Sequence, residues 1–525
     1  MALLTQAGSS SNVTAPAPSG AEAVVAAAAS DAPPAMRSFS ELNLHPSLIR
    51  SLAALAITAP TAIQALTIPH ILRGRDVIGG ARTGSGKTLS FALPILHQLT
   101  RDMVSGFAIV LTPTRELGVQ LHEQFVAVAA GAASGSGLAG MRCALVLGGM
   151  DMQAQATELA RGLPHVIVAT PGRLCDLLRS QGDAAYGLSR CRFVVLDEAD
   201  RLLTPTFAPE LQYLFSVLPP ARQRQTLLFT ATLTAEVEQL VKREPVEGKE
   251  PPLVCKIEGD TTTPPTLQQR YLFLPSHVRE PYLLHLLRHA PCDEAPSKGR
   301  RDDKQDDDDD DDDSKPVPPT IIFTARCRTA ALLSKMLEEL GIASVSLHSR
   351  LTQPQRLANL AAFRAQRVKL LIATDVASRG LDVPEVRMVV NWDLPLAWQD
   401  YVHRVGRTAR NGRPGWAVSF VTERDVELVQ GIEEHVGVKM EEMTYTEDKV
   451  LEKLNAVSAA KRVATMALHD GKFEEREERN RTKAAMRQDQ SGKAKKTASS
   501  SSLKAKKKKT TAGSSAGRRA KVEAS

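Results

Sequence analysis

Aromatic side chains are scarce, at 4% of the 525 residues. The six cysteines (Cys143, Cys175, Cys191, Cys255, Cys292 and Cys327) stand far apart, with no CxxC pair and no Cys/His cluster. That spacing suggests neither a disulfide framework nor a structural zinc site, and leaves reduced, mostly buried thiols as the expectation. No stretch approaches the ~18 to 20 consecutive apolar residues of a membrane span. The opening MALLTQAGSS lacks the basic segment of a signal peptide, so a soluble intracellular chain without membrane contact is expected. Large apolar side chains are also nearly missing from residues 1–36, an Ala/Ser/Pro stretch. Such a stretch buries too little surface to offset ordering entropy and is expected to be disordered, outside the fold. The composition as a whole, 43% hydrophobic and 24% charged, is that of a globular protein long enough for two or more cores.

The net charge of +7 conceals two local extremes in a nearly neutral body. From Lys461 onward, 19 Lys and Arg stand against 7 Asp and Glu, ending in a low-complexity tail that includes Lys506 to Lys509. Between Asp302 and Asp313 lie ten Asp and one Lys. Blocks of like charge repel themselves and stay solvated. Counterion release makes the basic tail a possible grip on nucleic acid, and a nuclear-import or solubilising tail is an equal alternative.

From Phe39 onward, β-branched runs alternate with amphipathic stretches: DVIGG at Asp76, AIVLT at Ala108, HVIVA at His165, RFVVLD at Arg192 and TLLFT at Thr226. A second series follows, with QRYLFL at Gln269, TIIFT at Thr320, SVSLH at Ser344, KLLIAT at Lys369, RMVVNW at Arg387 and AVSFVT at Ala417. Continuous apolar strands separated by helical segments indicate parallel sheets covered on both faces, hence two α/β domains. We place the first at residues 37–245, a linker region rich in Pro and Gly at 246–267, and the second at 268–440 with an acidic surface loop at 293–317. Residues 441–525 are expected to be helical and then a disordered basic tail, the helices starting in EEHVGVKMEEM and continuing in EEREERNR.

Ala81-Arg-Thr-Gly-Ser-Gly-Lys-Thr88 follows a strand and precedes a helical segment, the context a phosphate-binding loop requires. Small residues at Gly84 and Gly86 let backbone N–H groups from Thr83 to Thr88, including Ser85, surround a β-phosphate at a helix N-terminus. Lys87 can neutralise β/γ oxygens and the Thr88 hydroxyl can ligate Mg²⁺. Ala81 replaces the first glycine of the general motif. Asp197-Glu-Ala-Asp200 ends the strand RFVVLD, at the carboxyl edge where open parallel sheets bind ligands. Asp197 suits a metal shell, and Glu198 can orient and deprotonate the water that attacks the γ-phosphate.

With these two motifs in order, the chain resembles a DEAD-box ATP-dependent RNA helicase of superfamily 2, built from two tandem RecA-like domains, from Phe39 to about Val421. The resemblance implies ATP with Mg²⁺ as cofactors, and Phe39 with Pro60-Thr-Ala-Ile-Gln64 as a segment that selects adenine through Gln64. It implies RNA contacts through Pro113, Thr114, Arg115, Gly148, Gly149, Thr170, Pro171, Arg173, Thr374 and Gly380, largely to the backbone. Thr230-Ala-Thr232 stands where the family has Ser-Ala-Thr. It keeps the hydroxyl and adds a methyl, and with Asp200 and His403 it is expected to couple ATP to RNA. Ile321-Ile-Phe-Thr324, Leu347-His-Ser-Arg350 with Gln353 and Arg356, Thr374 to Asp382, and His403-Arg-Val-Gly-Arg-Thr-Ala-Arg410 resemble the second-domain motifs. Arg407 and Arg410 map onto arginine fingers and Asp382 onto the residue that contacts the ATP ribose.

Finer stretches, GGMDMQAQATELARGLPHVIVATPGRL from Gly148, ARQRQTLLFTATLT from Ala221 and LVQGIEEHVGVKMEE from Leu428, resemble the eukaryotic nucleolar helicases of small-subunit ribosome assembly. That branch implies pre-rRNA as substrate, ribosome-assembly proteins as partners, a monomer and a nucleolar site. An ATP-gated RNA clamp or scaffold without significant unwinding is the alternative.

Overall fold

The computed structural model describes residues 24–27, 38–82, 84–132, 138–182, 185–232, 237, 248–257, 263–264, 266–290, 317–375, 386–409 and 413–470. Two parallel sheets organise them. The first comprises β1 (Val24–Ala27), β2 (Val77–Gly80), β3 (Ala108–Leu111), β4 (Cys143–Val146), β5 (Val166–Ala169), β6 (Phe193–Asp197), β7 (Gln225–Thr230) and β8 (Leu253–Ile257), in the order β1-β8-β2-β7-β6-β3-β5-β4. The second comprises β9 (Leu267–Phe273), β10 (Thr320–Thr324), β11 (Ser344–Leu347), β12 (Leu370–Thr374), β13 (Met388–Asn391), β14 (Gly415–Val421) and β15 (Glu441–Glu442), in the order β11-β12-β10-β13-β14-β9-β15.

The strands are short apolar runs because both faces are covered. VIGG, AIVL, VIVA and FVVLD are buried at every position. Helices on one face of the first sheet pack Phe91, Phe125 and Leu48 against Val77, Val110 and Phe229, and the other face packs Leu159, Leu174 and Leu211 against Ile109, Ile167 and Val194. Parallel pairing needs crossovers, which the helices supply. As a result the carboxyl ends of β2, β3, β5, β6 and β7 share one edge of the sheet.

Three local readings change. The Ala-rich extension contributes an edge strand, β1, in parallel register with β8; main-chain pairing does not require large side chains. β8 itself falls inside the stretch read as linker, yet it pairs with β2 from Leu253 to Lys256. VKMEE is not helical: the helix Val426–Val436 ends at Gly437, whose φ of 75° stops it, and the chain continues into β15. Beyond residue 440, the helix Leu454–Asp470 packs Val457, Ala460 and Ala464 into the second core, and Lys461 meets Glu280 at 2.5 Å. The Asp306–Asp313 run, EEREERNR and the basic tail lie outside the described residues. Among the described residues, no helix is long and apolar enough to cross a membrane.

Candidate nucleotide site and interdomain cleft

The loop after β2 turns through Gly84 (φ 80°) and Gly86 (φ 91°) into the helix Lys87–Leu99. A Cβ at Gly86 would collide with the Gln64 amide, so close approach as well as backbone angle requires glycine. Gln64 is buried, and its Nε2 donates to the Gly86 carbonyl at 2.9 Å. Its Oε1 accepts from the Thr61 N–H at 3.0 Å, completing a capping box at the helix Ala62–Leu72. Gln64 therefore ties the expected adenine-selecting segment to the phosphate loop, with one amide N–H and one lone pair left over. Phe39, expected at the nucleotide, is 2% exposed inside the first hydrophobic core and offers no free ring face. An aromatic in a short apolar stretch gave no local sign of which it would be.

Lys87 donates to the carbonyls of Ala81 (2.6 Å) and Arg82 (3.0 Å), which points its ammonium into the loop. Desolvation pushes that ammonium down, while Asp197, Glu198 and Asp200 support its charge. Thr88 is half-buried one residue on. Ser85 Oγ is buried with no hydrogen-bond partner.

Asp197 and Glu198 sit at the end of β6, both buried. Burial, reinforced by the neighbouring Glu198, pushes the Asp197 carboxyl up to about 7, with Lys87 opposing. Glu198 adopts φ 52°, a left-handed conformation that is strained for a non-glycine residue, and its Oε2 is buried without a partner. Two acids facing a half-buried lysine, with carboxylate and hydroxyl oxygens left unpaired, form a donor set suited to a hard divalent cation and a phosphate chain.

Asp200 faces the other way. Its Oδ2 accepts from Thr232 Oγ1 at 2.9 Å and lies 3.2 Å from His403 Nε2 of the second domain. Burial alone would raise this carboxyl, but the hydrogen bond and charge of His403 and the Thr232 hydroxyl overcome it and hold the group well below the usual carboxylate range. Thr230, in place of the family's Ser, keeps the hydroxyl's function: Oγ1 donates to the Thr232 carbonyl at 2.7 Å, and the added methyl is fully buried. The Thr230 carbonyl accepts from Ala81 N at 3.1 Å, which joins this turn to the phosphate loop. From across the cleft, Arg407 donates through Nε to the His403 carbonyl at 3.2 Å, and its guanidinium is near enough to depress the Lys87 ammonium.

A second interdomain contact went unassigned in the sequence. Glu116, 1% exposed at the start of the helix Arg115–Ala132, meets Arg356 at 2.8 Å and accepts from Gln353 Nε2 at 3.1 Å. Glu123 and Arg364, each about two turns further along the same two helices, approach to 3.5 Å. Arg404 was equally unassigned: fully buried, it clasps both carboxylate oxygens of Asp375 at 2.6 and 2.7 Å and donates to Asn391 and to the Asp393 carbonyl. The only local signals were a Glu within PTREL and a Gln-x-x-Arg pair.

The residues expected at RNA line the carboxyl edge beyond the cleft. Pro113 and Thr114 follow β3, and Thr170 and Pro171 open the helix Pro171–Gln181 after β5. Arg115 packs on the Gly148–Gly149 backbone, where a Cβ at Gly149 (φ 83°) would strike its guanidinium. Arg173 donates to the Met150 carbonyl at 3.0 Å and to Gln155 at 3.2 Å. Thr374 ends β12 with its hydroxyl buried and unbonded. Thr83, Gly380, Asp382 and Arg410 lie outside the described residues.

These features define a class: a P-loop ATPase of two tandem RecA-like domains, with charged groups of both domains meeting across the cleft between them. A family model described as DEAD/DEAH box helicase matches residues 61–240, and one described as Helicase conserved C-terminal domain matches 313–412. The chain is 59% identical over 492 residues to the ATP-dependent RNA helicase DBP8 of Mycosarcoma maydis, covering 88% of this chain and 92% of that one. It is 47% identical over 463 residues to the dbp8 helicase of Schizosaccharomyces pombe, covering 87% and 95%. Among solved structures it is similar to Mss116p bound to ssRNA and AMP-PNP (TM-score 0.67, 26% identity, 80% and 81% covered). It is also similar to S. cerevisiae Dbp5 bound to RNA and ADP BeF3 (TM-score 0.63, 26% identity, 82% and 100% covered). The chain belongs to the DEAD-box helicase family and is an ATP-dependent RNA helicase.

Proposed function

We propose that this helicase remodels pre-rRNA duplexes or RNA–protein complexes during small ribosomal subunit assembly in the nucleolus, acting as a monomer through closure of its two domains. The observation that carries the mechanism is the 3.2 Å contact between Asp200 and His403, which joins the acidic motif of one domain to the arginine motif of the other. Lys87 neutralises the β/γ oxygens, Glu198 orients and deprotonates the attacking water, and Arg407 stabilises the charge that develops on the transferred phosphoryl group, with Arg410 assigned the same task by motif. Thr88 and Asp197 would hold Mg²⁺, which neutralises phosphate charge when bound. Because these groups act together only when the domains meet, hydrolysis depends on closure, and RNA held by Arg115, Thr170 and Thr374 favours closure. Contacts to the RNA backbone imply weak sequence preference. Support for the RNA class comes from the stretches that resemble nucleolar assembly helicases and from the identity to the DBP8 helicases.

The first experiment compares ATP hydrolysis with single-stranded RNA, with DNA and with neither, in the wild-type chain and in Glu198→Gln. RNA-specific stimulation that is lost in the variant is expected; hydrolysis indifferent to RNA would overturn the mechanism. Cross-linking in cells, followed by sequencing of bound RNA, is expected to recover pre-rRNA, and a predominance of messenger RNA would overturn the substrate assignment.

A further inference from the structure

Among the described residues, one edge of the second sheet is left open. Its last strand, β15, has two residues and pairs with β9 only at Arg270 and Tyr271. β9 runs on to Phe273, so its outer edge extends past the end of its partner. The helix Val426–Val436 lies beside this edge, and the two leave a groove of about 520 Å³ lined by Tyr271, Phe273, Val426, Val429, Glu433 and Glu442, among others. Phe273 is 51% exposed and Val426 40%. An open strand edge beside exposed apolar walls suits an extended peptide, whose main chain extends the ladder while alternate side chains enter the groove.

Charge narrows the occupant. From Glu423 to Glu447 the chain carries eight acidic residues and two basic ones, although its net charge is +7. Glu427, Glu434, Glu441 and Glu442 are exposed; Glu433 is already engaged by the Met440 N–H at 2.8 Å, Glu441 pairs with Arg270 at 3.4 Å, and Lys439 also lines the groove, which leaves Glu442 as the lining carboxylate with the most exposure. Such a rim repels RNA and attracts a basic peptide that carries one or two apolar side chains. The chain has one: Leu503-Lys-Ala-Lys-Lys-Lys-Lys509. In an extended conformation Leu503 and Ala505 share one face, and Lys504 and Lys506 share the other. The connection from Asp470 to Leu503 is 33 residues, and a chain of that length treated as a random coil reaches roughly 30 Å, comparable with the size of a domain of this length.

We propose that the segment around Leu503 to Lys509 docks in cis along the free edge of β9, with Leu503 between Phe273 and Val426 and the lysines against the glutamate rim. Docked, the lysines are withheld from RNA; released, they add phosphate contacts. The tail is thereby an RNA grip held in reserve by an acidic, apolar groove on the second domain.

Zero-length carbodiimide cross-linking of the full chain at low salt tests this. Bonds from Lys504 and Lys506 to Lys509 onto Glu433, Glu441 or Glu442 are expected within the monomer. Phe273→Asp, Val426→Asp and Leu503→Asp should each lower their yield about ten-fold, the loss of roughly one buried leucine. Phe273→Asp should also bind single-stranded RNA more tightly in the absence of nucleotide, with a log–log salt slope steeper by about 0.7 per freed lysine. Deleting 499–509 should erase that gain, and RNA-independent ATPase should not change, which controls for folding. Bonds that go instead to Asp306–Asp313 at wild-type yield in Leu503→Asp would overturn the groove assignment. So would bonds found only between two copies, or bonds unaffected by the groove variants.

Discussion

His403 Nε2 of the second domain lies 3.2 Å from Asp200 Oδ2 of the first, and the same carboxylate oxygen accepts the Thr232 hydroxyl at 2.9 Å. One buried acid thus reads both the turn after β7 and the approach of the other domain.

His403→Ala removes the cross-domain partner and leaves Asp200 buried with only the hydroxyls of Thr230 and Thr232. A charge-assisted hydrogen bond contributes about 1.5 to 3 kcal/mol, so RNA-stimulated kcat should fall about 10- to 100-fold. ATP affinity in the absence of RNA, measured by fluorescent-nucleotide titration, should stay within a few-fold because His403 does not touch the phosphate loop. An equal loss in both would show that the contact supports the fold and not the closure.

The Glu116–Arg356 pair is buried in the closed protein, and Arg356→Ala would leave an uncompensated carboxylate there. Breaking a buried pair costs about 3 to 5 kcal/mol, and in the open protein the carboxylate regains water. RNA affinity measured with a non-hydrolysable ATP analogue should therefore weaken by about 100-fold or more, with little change in melting temperature. The swap Glu116→Arg with Arg356→Glu should recover part of it.

Asp197 gives a pH dependence with a definite sign. Its carboxyl is raised to about 7 in the folded protein, so it binds a proton progressively below that pH. Holding a cation needs the ionised form, and affinity for the ATP–cation complex should rise from pH 5.5 to 7 and level off above, approaching ten-fold per unit at the acid end. Without ligand the sign reverses: the raised group contributes stability that is present at low pH and lost as pH rises through about 7. Asp197→Asn should flatten both curves, and a wild-type affinity equal at pH 6 and pH 8 would contradict this account.

Gly149→Ala puts a methyl into the Arg115 guanidinium at a φ of 83°. Displacing that side chain should weaken RNA binding about ten-fold, as the loss of one charged phosphate contact. ATP hydrolysis without RNA should be unchanged, because the site lies across the sheet edge from Lys87.

The nucleotide site was legible in the sequence because its chemistry is local. The chain passes from β2 into a helix through Gly84, Gly86, Lys87 and Thr88, and β6 ends in Asp197 and Glu198; spacing along one backbone sets these positions, and the strand and helix patterns that frame them are periodic. The edge strands β1 and β15, and β8, which lies between β1 and β2, were not legible, since each is defined by its neighbours' open hydrogen bonds more than by its own side chains. Tertiary structure alone decided that Phe39 joins the core, that Gln64 binds the loop it helps shape, and that Glu116 meets Gln353, 237 residues away, and Arg356. It also decided that Asp200 turns from the nucleotide toward His403. Such pairings bring together charges that carry no sequence signature of their partner, and burial, which alone makes them strong, exists only once both sheets and their helices are in place.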